Sequence, residues 1–160
     1  MALAKILPYS FFDWCEATVL GLWLKQAMWA FASIETVHIM ALAVLLGTTI
    51  VVDLRLLGLG LKWMPAAELS GLLAPWFWSA LVTMIVSGAC LFAGEAVRLA
   101  TSVPFGVKML FLLTAIVVHI TIHRKAITLG TENALGKIAA YASLTCWLGI
   151  ALAGRAIAFL

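Results

Sequence analysis

Four long apolar runs constrain the fold of this chain more than any other feature. Each holds roughly 20 mostly apolar residues, the length that a helix needs to cross the hydrocarbon core of a bilayer. The chain is 65% hydrophobic and 11% charged, which is far more apolar than a soluble domain. Because the runs lack the alternating polarity of barrel strands, we predict membrane-spanning helices. The predicted spans cover approximately residues 26–52, 75–94, 104–123 and 136–158.

The predicted fold class is therefore all-α, an integral membrane four-helix bundle in which residues 1–160 form one transmembrane domain. The segment from about residue 10 to residue 25 contains both polar and apolar side chains, among them tryptophan and phenylalanine. We therefore predict an N-terminal amphipathic helix in the membrane interface. A short interfacial piece, residues 65–74, is expected before the second span. The N-terminal residues are not typical of a cleavable signal peptide.

The charged residues limit the partners that the chain can have. The net charge is only +3, and the basic residues scatter around the ends of the spans. No basic stripe supports nucleic-acid binding, so the lipid bilayer is the predicted partner. The loops after the first and third spans carry more of the exposed basic residues, which predicts that these loops face the cytoplasm and both termini face the periplasm. No Cys-x-x-Cys-His sequence occurs, so covalent haem attachment is not indicated.

Three histidines lie within the predicted spans. An ionisable residue inside a membrane is costly and by default marks a functional site. His38 shares a helix face with Glu35, three residues before it, and His119 shares a face with His123, four residues after it. We expect the two polar stripes to face each other across the bundle.

Depth suggests how these histidines pair. At about 1.5 Å per residue, His38 lies roughly 15–18 Å and His119 roughly 20–23 Å from the same end of the bundle. We predict that both ligate the iron of one haem b, with His123 one turn deeper and less suited to the pairing. Glu35 is expected to accept the second ring N–H of His38. The predicted partners for the haem propionates are the cations Lys108, Arg98 and Arg55.

Several functions are compatible with these residues. The leading hypothesis is a membrane b-type cytochrome that exchanges electrons with quinol or a soluble redox protein, and so could be part of a quinol-linked oxidoreductase. The alternative is copper or zinc binding or transport by Glu35 and the three histidines. A third hypothesis is a haem-free proton relay or small transporter. Against all three stands the possibility that the histidines only make structural contacts between helices.

The fourth span also carries a run of small residues. Small side chains let membrane helices approach closely, so this face predicts a homo-oligomer. The residues concerned are Gly149, Ala151, Ala153 and Gly154.

Beyond these physical patterns, the run from Glu35 to Gly58 resembles the first helix of an uncharacterised family of small bacterial four-span inner-membrane proteins. The resemblance covers roughly residues 28–125. It implies a bacterial inner-membrane location and no particular activity. In layout the chain is also similar to four-helix membrane b-type cytochromes and to the membrane part of copper-resistance D proteins, an analogy of architecture only. The residues that match the family are Glu35, His38, Ala41, Gly47, Asp53, Arg55, Gly58, Phe77, Trp78, Ser87, Gly88, Phe92, Glu95, Phe105, Lys108 and His119.

Overall fold

The structure, a computed structural model, describes residues 8–129 and 134–157. Within these two ranges the chain is helical and forms no strand. Four segments are long and apolar enough to cross a membrane, which confirms the predicted helical membrane bundle. The elements are α1 (Tyr9–Glu16), α2 (Val19–Gln26), α3 (Met28–Leu56), α4 (Ala66–Thr101), α5 (Val103–Val118), a π-helical turn (His119–His123), α6 (Arg124–Leu129) and α7 (Ala134–Ile157).

The bundle core lies where α3, α4 and α7 meet. Helix α3 packs chiefly against α4 and α7, whereas α5 packs chiefly against α7. Leu45, Phe77, Trp147 and Ile150 belong to one buried apolar cluster in the middle of the bundle. Helices α4 and α5 approach each other less closely, and aromatic rings span the distance, such as those of Phe92 and Phe105 with centroids 5.7 Å apart. The interior near α5 is therefore filled by long side chains.

Helix α4 is longer than predicted. The expected interfacial piece before the second span does not exist as a separate element, because the helix begins at Ala66 and continues through Pro75. Proline lacks an N–H donor and usually ends a helix. Here the residues on both sides of it are held by packing, since Leu69 and Phe77 are each 6% exposed. The backbone breaks instead at Glu95, whose φ of −137° and ψ of 30° are not helical.

The N-terminal segment consists of two short helices, where the sequence predicts one. Thr18 separates them, and its hydroxyl caps α2 by accepting a hydrogen bond from the Gly21 amide at 3.2 Å. Phe12 is fully buried and packs in a cluster with residues of α4. Just beyond the break at Glu95, the amide of Val97 donates to the Glu16 carboxylate at 2.8 Å. The two short helices therefore dock onto α4 and satisfy an amide near its break.

The third span changes its helix type before it ends. Helix α5 continues into a π-helical turn that contains both of its histidines, and the apolar span extends to Ile127. Such turns are rare and occur frequently at functional sites. The predicted end at residue 123 is thus the point where the π turn ends and α6 begins.

Candidate functional site

His38 lies at the junction of three membrane helices. It is 9% exposed, and its two ring nitrogens contact side chains on α4 and α5. The Lys108 amine donates to Nε2 across 3.4 Å, so Nδ1–H donates to the Ser87 hydroxyl at 2.9 Å. Ser87 in turn donates to the carbonyl of Thr83 at 2.6 Å. This chain of contacts assigns the tautomer of His38.

Small residues make room for this polar contact. A Cβ atom at Gly88 of α4 would lie only 3.2 Å from Cε1 of His38. A Cβ atom at Gly154 of α7 would lie 3.6 Å from Nζ of Lys108. The ring and the amine are therefore each placed against helix backbone, and all four membrane helices contribute to the site.

A second buried pair joins α3 to the π turn. His123 Nε2 lies 2.7 Å from Asp53 Oδ1, and the two side chains are 2% and 0% exposed. Ser143 of α7 faces the same carboxylate. Since an isolated charge in a membrane interior is strongly unfavourable, the imidazole is the group that makes burial of Asp53 tolerable.

The two pairs occur in the same helix register. Seventy positions separate His38 from Lys108, and seventy separate Asp53 from His123. Helices α3 and α5 run in the same direction, because one antiparallel helix lies between them in the chain. The pairs are fifteen positions apart on each helix (38 to 53, 108 to 123), or about 22 Å along the bundle.

His119 lies near the Asp53 pair rather than near His38. Its ring stacks on Phe77 with centroids 4.1 Å apart and on His123 with centroids 5.1 Å apart. The edge of Trp78 completes an aromatic surround at 6.0 Å. His119 follows Lys108 by eleven positions, about 16 Å along the helix. It therefore lies about three turns from the level of His38.

The structure does not bring the predicted haem ligands together. Axial imidazoles must face one iron from the same depth, but Lys108 occupies the position opposite His38. The predicted depth was wrong because it assumed that the first and third spans begin level, whereas contacts in the structure fix a different register. Ligation of one haem by His38 and His119 does not fit this arrangement. Haem binding itself stays a prediction.

The other predicted site residues have different partners from those expected. Glu35 is exposed, and Ser87, not Glu35, receives the second N–H of His38. Arg98 pairs with Glu95 at 2.8 Å. Arg55 donates from Nε to the carbonyl of Met64 at 2.6 Å and so closes the loop between α3 and α4. Of the three predicted cations, the structure places Lys108 beside a predicted iron ligand.

The described part of the chain also contains no complete set of ligands for a metal ion. No three histidine, cysteine, aspartate or glutamate side chains there lie close enough together to hold a metal ion. Copper and zinc sites in proteins usually require three or four such ligands.

Asp53 and Ser143 are site residues that the sequence reasoning did not select. The first span was predicted to end at about residue 52, but α3 continues to Leu56 and buries Asp53. A signal existed, because Asp53 follows Thr49 by one turn on the stripe that contains His38. Ser143 carries no comparable signal, since serine occurs at many positions in membrane helices.

The small residues of the fourth span are used partly within the bundle. A Cβ atom at Gly149 would come within 2.9 Å of the Phe111 ring, and Gly154 faces Lys108. These two glycines therefore pack against α5 instead of forming the predicted contact face between subunits. Homo-oligomerisation stays a prediction without that argument.

Together, the fold and the two buried pairs define a multi-pass helical membrane protein with ionisable groups in its interior. The chain belongs to DUF6644, a family of unknown function whose family model matches residues 11–160. This agrees with the predicted resemblance to an uncharacterised family. No curated protein and no solved structure matches the chain. The likeness to cytochromes and copper-resistance proteins stays a prediction.

Proposed function

We propose that this protein relays protons within the membrane, using the His38–Lys108 and Asp53–His123 pairs as its two proton-exchange sites. The observation that supports this is the occurrence of two ionisable pairs in one register inside the bundle. Ionisable groups at such positions are costly, and proton relays are among the functions that retain them. Histidine is suited to the role because its ring can take up a proton at one nitrogen and release one from the other.

Each pair has atoms that can share a proton. In the first, a proton of the Lys108 amine points at the Nε2 lone pair of His38. The Ser87 hydroxyl holds the other ring nitrogen and so keeps that lone pair directed at Lys108. In the second, Asp53 Oδ1 and His123 Nε2 lie 2.7 Å apart, a distance at which a proton needs little movement to pass from one to the other.

An apolar layer separates the two pairs. Leu45 lies midway between His38 and Asp53 along α3, and it belongs to one buried cluster with Phe77 and Ile150. A relay through this layer must be stepwise, because apolar side chains offer no hydrogen-bonding path. His119 lies on the Asp53 side of the layer with its ring against Phe77, so it is the group placed to accept a proton before the crossing.

Replacing Asp53 by asparagine is expected to abolish proton movement through the protein. The amide oxygen of the new side chain can still accept from His123, which preserves the fold, but the amide cannot take up a proton. The measurement is the rate of acidification inside liposomes that contain the purified protein and a pH-sensitive dye, under a potassium diffusion potential. The wild-type protein should acidify the vesicles faster than protein-free liposomes do.

Asp13→Asn is the matched control, because Asp13 is exposed on α1 and away from both pairs. It should keep the wild-type rate. Lys108→Met should lose proton movement as Asp53→Asn does. Equal rates for the wild type, Asp53→Asn and empty liposomes would reject the proposed relay.

Haem b is a second candidate, with copper or zinc as the alternative occupant. His119 supports haem binding, since this partly buried imidazole has an unpaired Nδ1 and lies among aromatic rings. In this proposal the protein passes electrons to or from quinol or a soluble redox protein. Protein expressed with ample haem should show a Soret band that His119→Ala removes, and elemental analysis should detect any bare metal. Colourless, metal-free protein would exclude both.

We also propose that the protein resides in a bacterial inner membrane with both termini in the periplasm. Arg55 and Lys62 follow the first span, and Arg124 and Lys125 follow the third, which favours a cytoplasmic position for these two loops. A periplasmic reporter fused after residue 160 should be active, and a reporter in the loop at Lys62 should not. The opposite pattern would reverse the orientation.

A further inference from the structure

Five buried polar atoms among the described residues lack a hydrogen-bond partner of normal geometry, and they come from neighbouring side chains. Two of these side chains, Ser143 and Asp53, also interact with each other. Leaving such an atom unpaired costs roughly 1–3 kcal/mol. A bundle of mostly apolar helices would not collect five of them unless something pairs with them. The atoms are Asp53 Oδ2, His119 Nδ1, His123 Nδ1, Ser143 Oγ and Trp147 Nε1.

Contacts between these side chains place them around one region, which we call the polar chamber. His123 contacts Asp53, and its ring stacks with that of His119. Ser143 faces the Asp53 carboxylate, and Trp147 lies one turn further along the same face of α7. Phe77 joins the far side, with its ring 4.1 Å from His119 and 6.2 Å from Trp147. The five unpaired atoms thus come from α3, the π turn and α7.

The unpaired atoms include both donors and acceptors. The Trp147 indole N–H only donates, whereas Asp53 Oδ2 as a carboxylate oxygen only accepts. The Ser143 hydroxyl does both. When Asp53 is a carboxylate, Nε2–H of His123 is the donor in their 2.7 Å contact, and Nδ1 of a neutral His123 is then an acceptor.

This mixture selects the chemical class of the occupant. A metal ion would leave the Trp147 N–H unpaired, and an anion would be repelled by Asp53. An apolar molecule would satisfy none of the five atoms. The occupant must be small and neutral, and it must both donate and accept hydrogen bonds.

We infer that the polar chamber binds water. A buried water makes about three hydrogen bonds, so two molecules are enough for five atoms. They would link Asp53 Oδ2 and Ser143 to Trp147 and the two histidines. If the proposed relay is correct, these waters form its path between Asp53 and His119. Hydration of the chamber does not require the relay, however, and is tested separately.

The test is hydroxyl-radical labelling of the full-length protein in nanodiscs by short X-ray pulses, read at each residue by mass spectrometry. Radicals formed from bound water oxidise the side chains beside them even where bulk solvent does not reach. Trp147, which is 1% exposed, should be oxidised to an extent comparable with Trp14, which is 67% exposed. N-bromosuccinimide, a reagent that attacks exposed tryptophan, should modify Trp14 and spare Trp147.

Variants of the chamber decide whether its polar atoms hold the water. The double variant Asp53→Leu/His123→Leu removes two of the five unpaired atoms and puts apolar side chains in their place, so it should lower the Trp147 oxidation well below the wild-type level. Ser143→Ala, a milder change, should reduce it. The inference is overturned if wild-type Trp147 stays unoxidised, if the double variant is oxidised as the wild type is, or if N-bromosuccinimide also modifies Trp147. Labelled Trp147 together with no proton flux would keep the hydrated chamber and reject the relay.

Discussion

Replacing Asp53 by alanine is expected to lower the free energy of unfolding by about 1.5–3 kcal/mol, the range for losing a buried hydrogen bond to a charged group. The change leaves His123 buried, at 2% exposure, without its partner at 2.7 Å. It also removes the carboxylate that links α3 to the π turn. The measurement is thermal or denaturant-induced unfolding in detergent, followed by tryptophan fluorescence.

Two further variants separate the pair from a general effect of losing an acidic side chain. Asp13→Ala removes an exposed carboxylate and should change stability by less than about 0.5 kcal/mol. Asp53→Leu/His123→Leu replaces both partners by apolar groups and should recover most of the lost stability. If Asp53→Ala has the same free energy of unfolding as Asp13→Ala, the buried pair does not contribute to stability.

Replacing Gly21 by alanine is expected to lower the free energy of unfolding by about 1–3 kcal/mol. A Cβ atom there would lie 2.6 Å from the carbonyl oxygen of Glu16 and 2.7 Å from that of Ala93. Both are backbone atoms, so no side chain can rotate away. Helix α2 would have to move away from α4, and the bond from Val97 to Glu16 would be weakened.

Gly47→Ala is the matched control for this prediction. Gly47 lies inside α3, and a Cβ atom there would meet nothing within 4 Å. Alanine should therefore stabilise the helix by roughly 0.5–1 kcal/mol, because it loses less conformational freedom than glycine on folding. Both glycine variants can be compared by unfolding in the same detergent. Equal stability of Gly21→Ala and the wild type would show that the contact between α2 and α4 is loose.

The docking of α1 and α2 was not predictable from the pattern of residues 10–25. An amphipathic segment next to a membrane span has a default place in the interface, and its composition is the same in either case. What attaches the segment to the bundle is the break at Glu95, which lets the Glu16 carboxylate reach the amide of Val97. Nothing in the local sequence indicates the break at Glu95. Glu16 and Val97 are 81 positions apart, so no local pattern predicts the contact between them.

The polar residues also show which features the sequence predicts and which only the structure reveals. His38, His119, His123 and Lys108 were selected from the sequence because charge and imidazole are rare in apolar spans. Their partners could not be selected, because α3 is apolar around its whole circumference apart from a few positions. A shift of one helix by three turns changes every cross-helix pair while leaving both sequences equally suited to the membrane. The predicted pairing of His38 with His119 contained such a shift.

The sequence by itself determined that four helices cross a membrane and that their interior contains ionisable groups. The physical reason is that a bilayer demands about 20 apolar residues per span and internal hydrogen bonding of the backbone. Only the tertiary structure decided that His38 meets Lys108 and Asp53 meets His123, and that His119 lies with the second pair. Register between helices depends on the packing of side chains from distant parts of the chain, such as the Phe111 ring against Gly149. The histidines can be recognised from the sequence alone, but their chemistry depends on the side chains that each of them contacts in the structure.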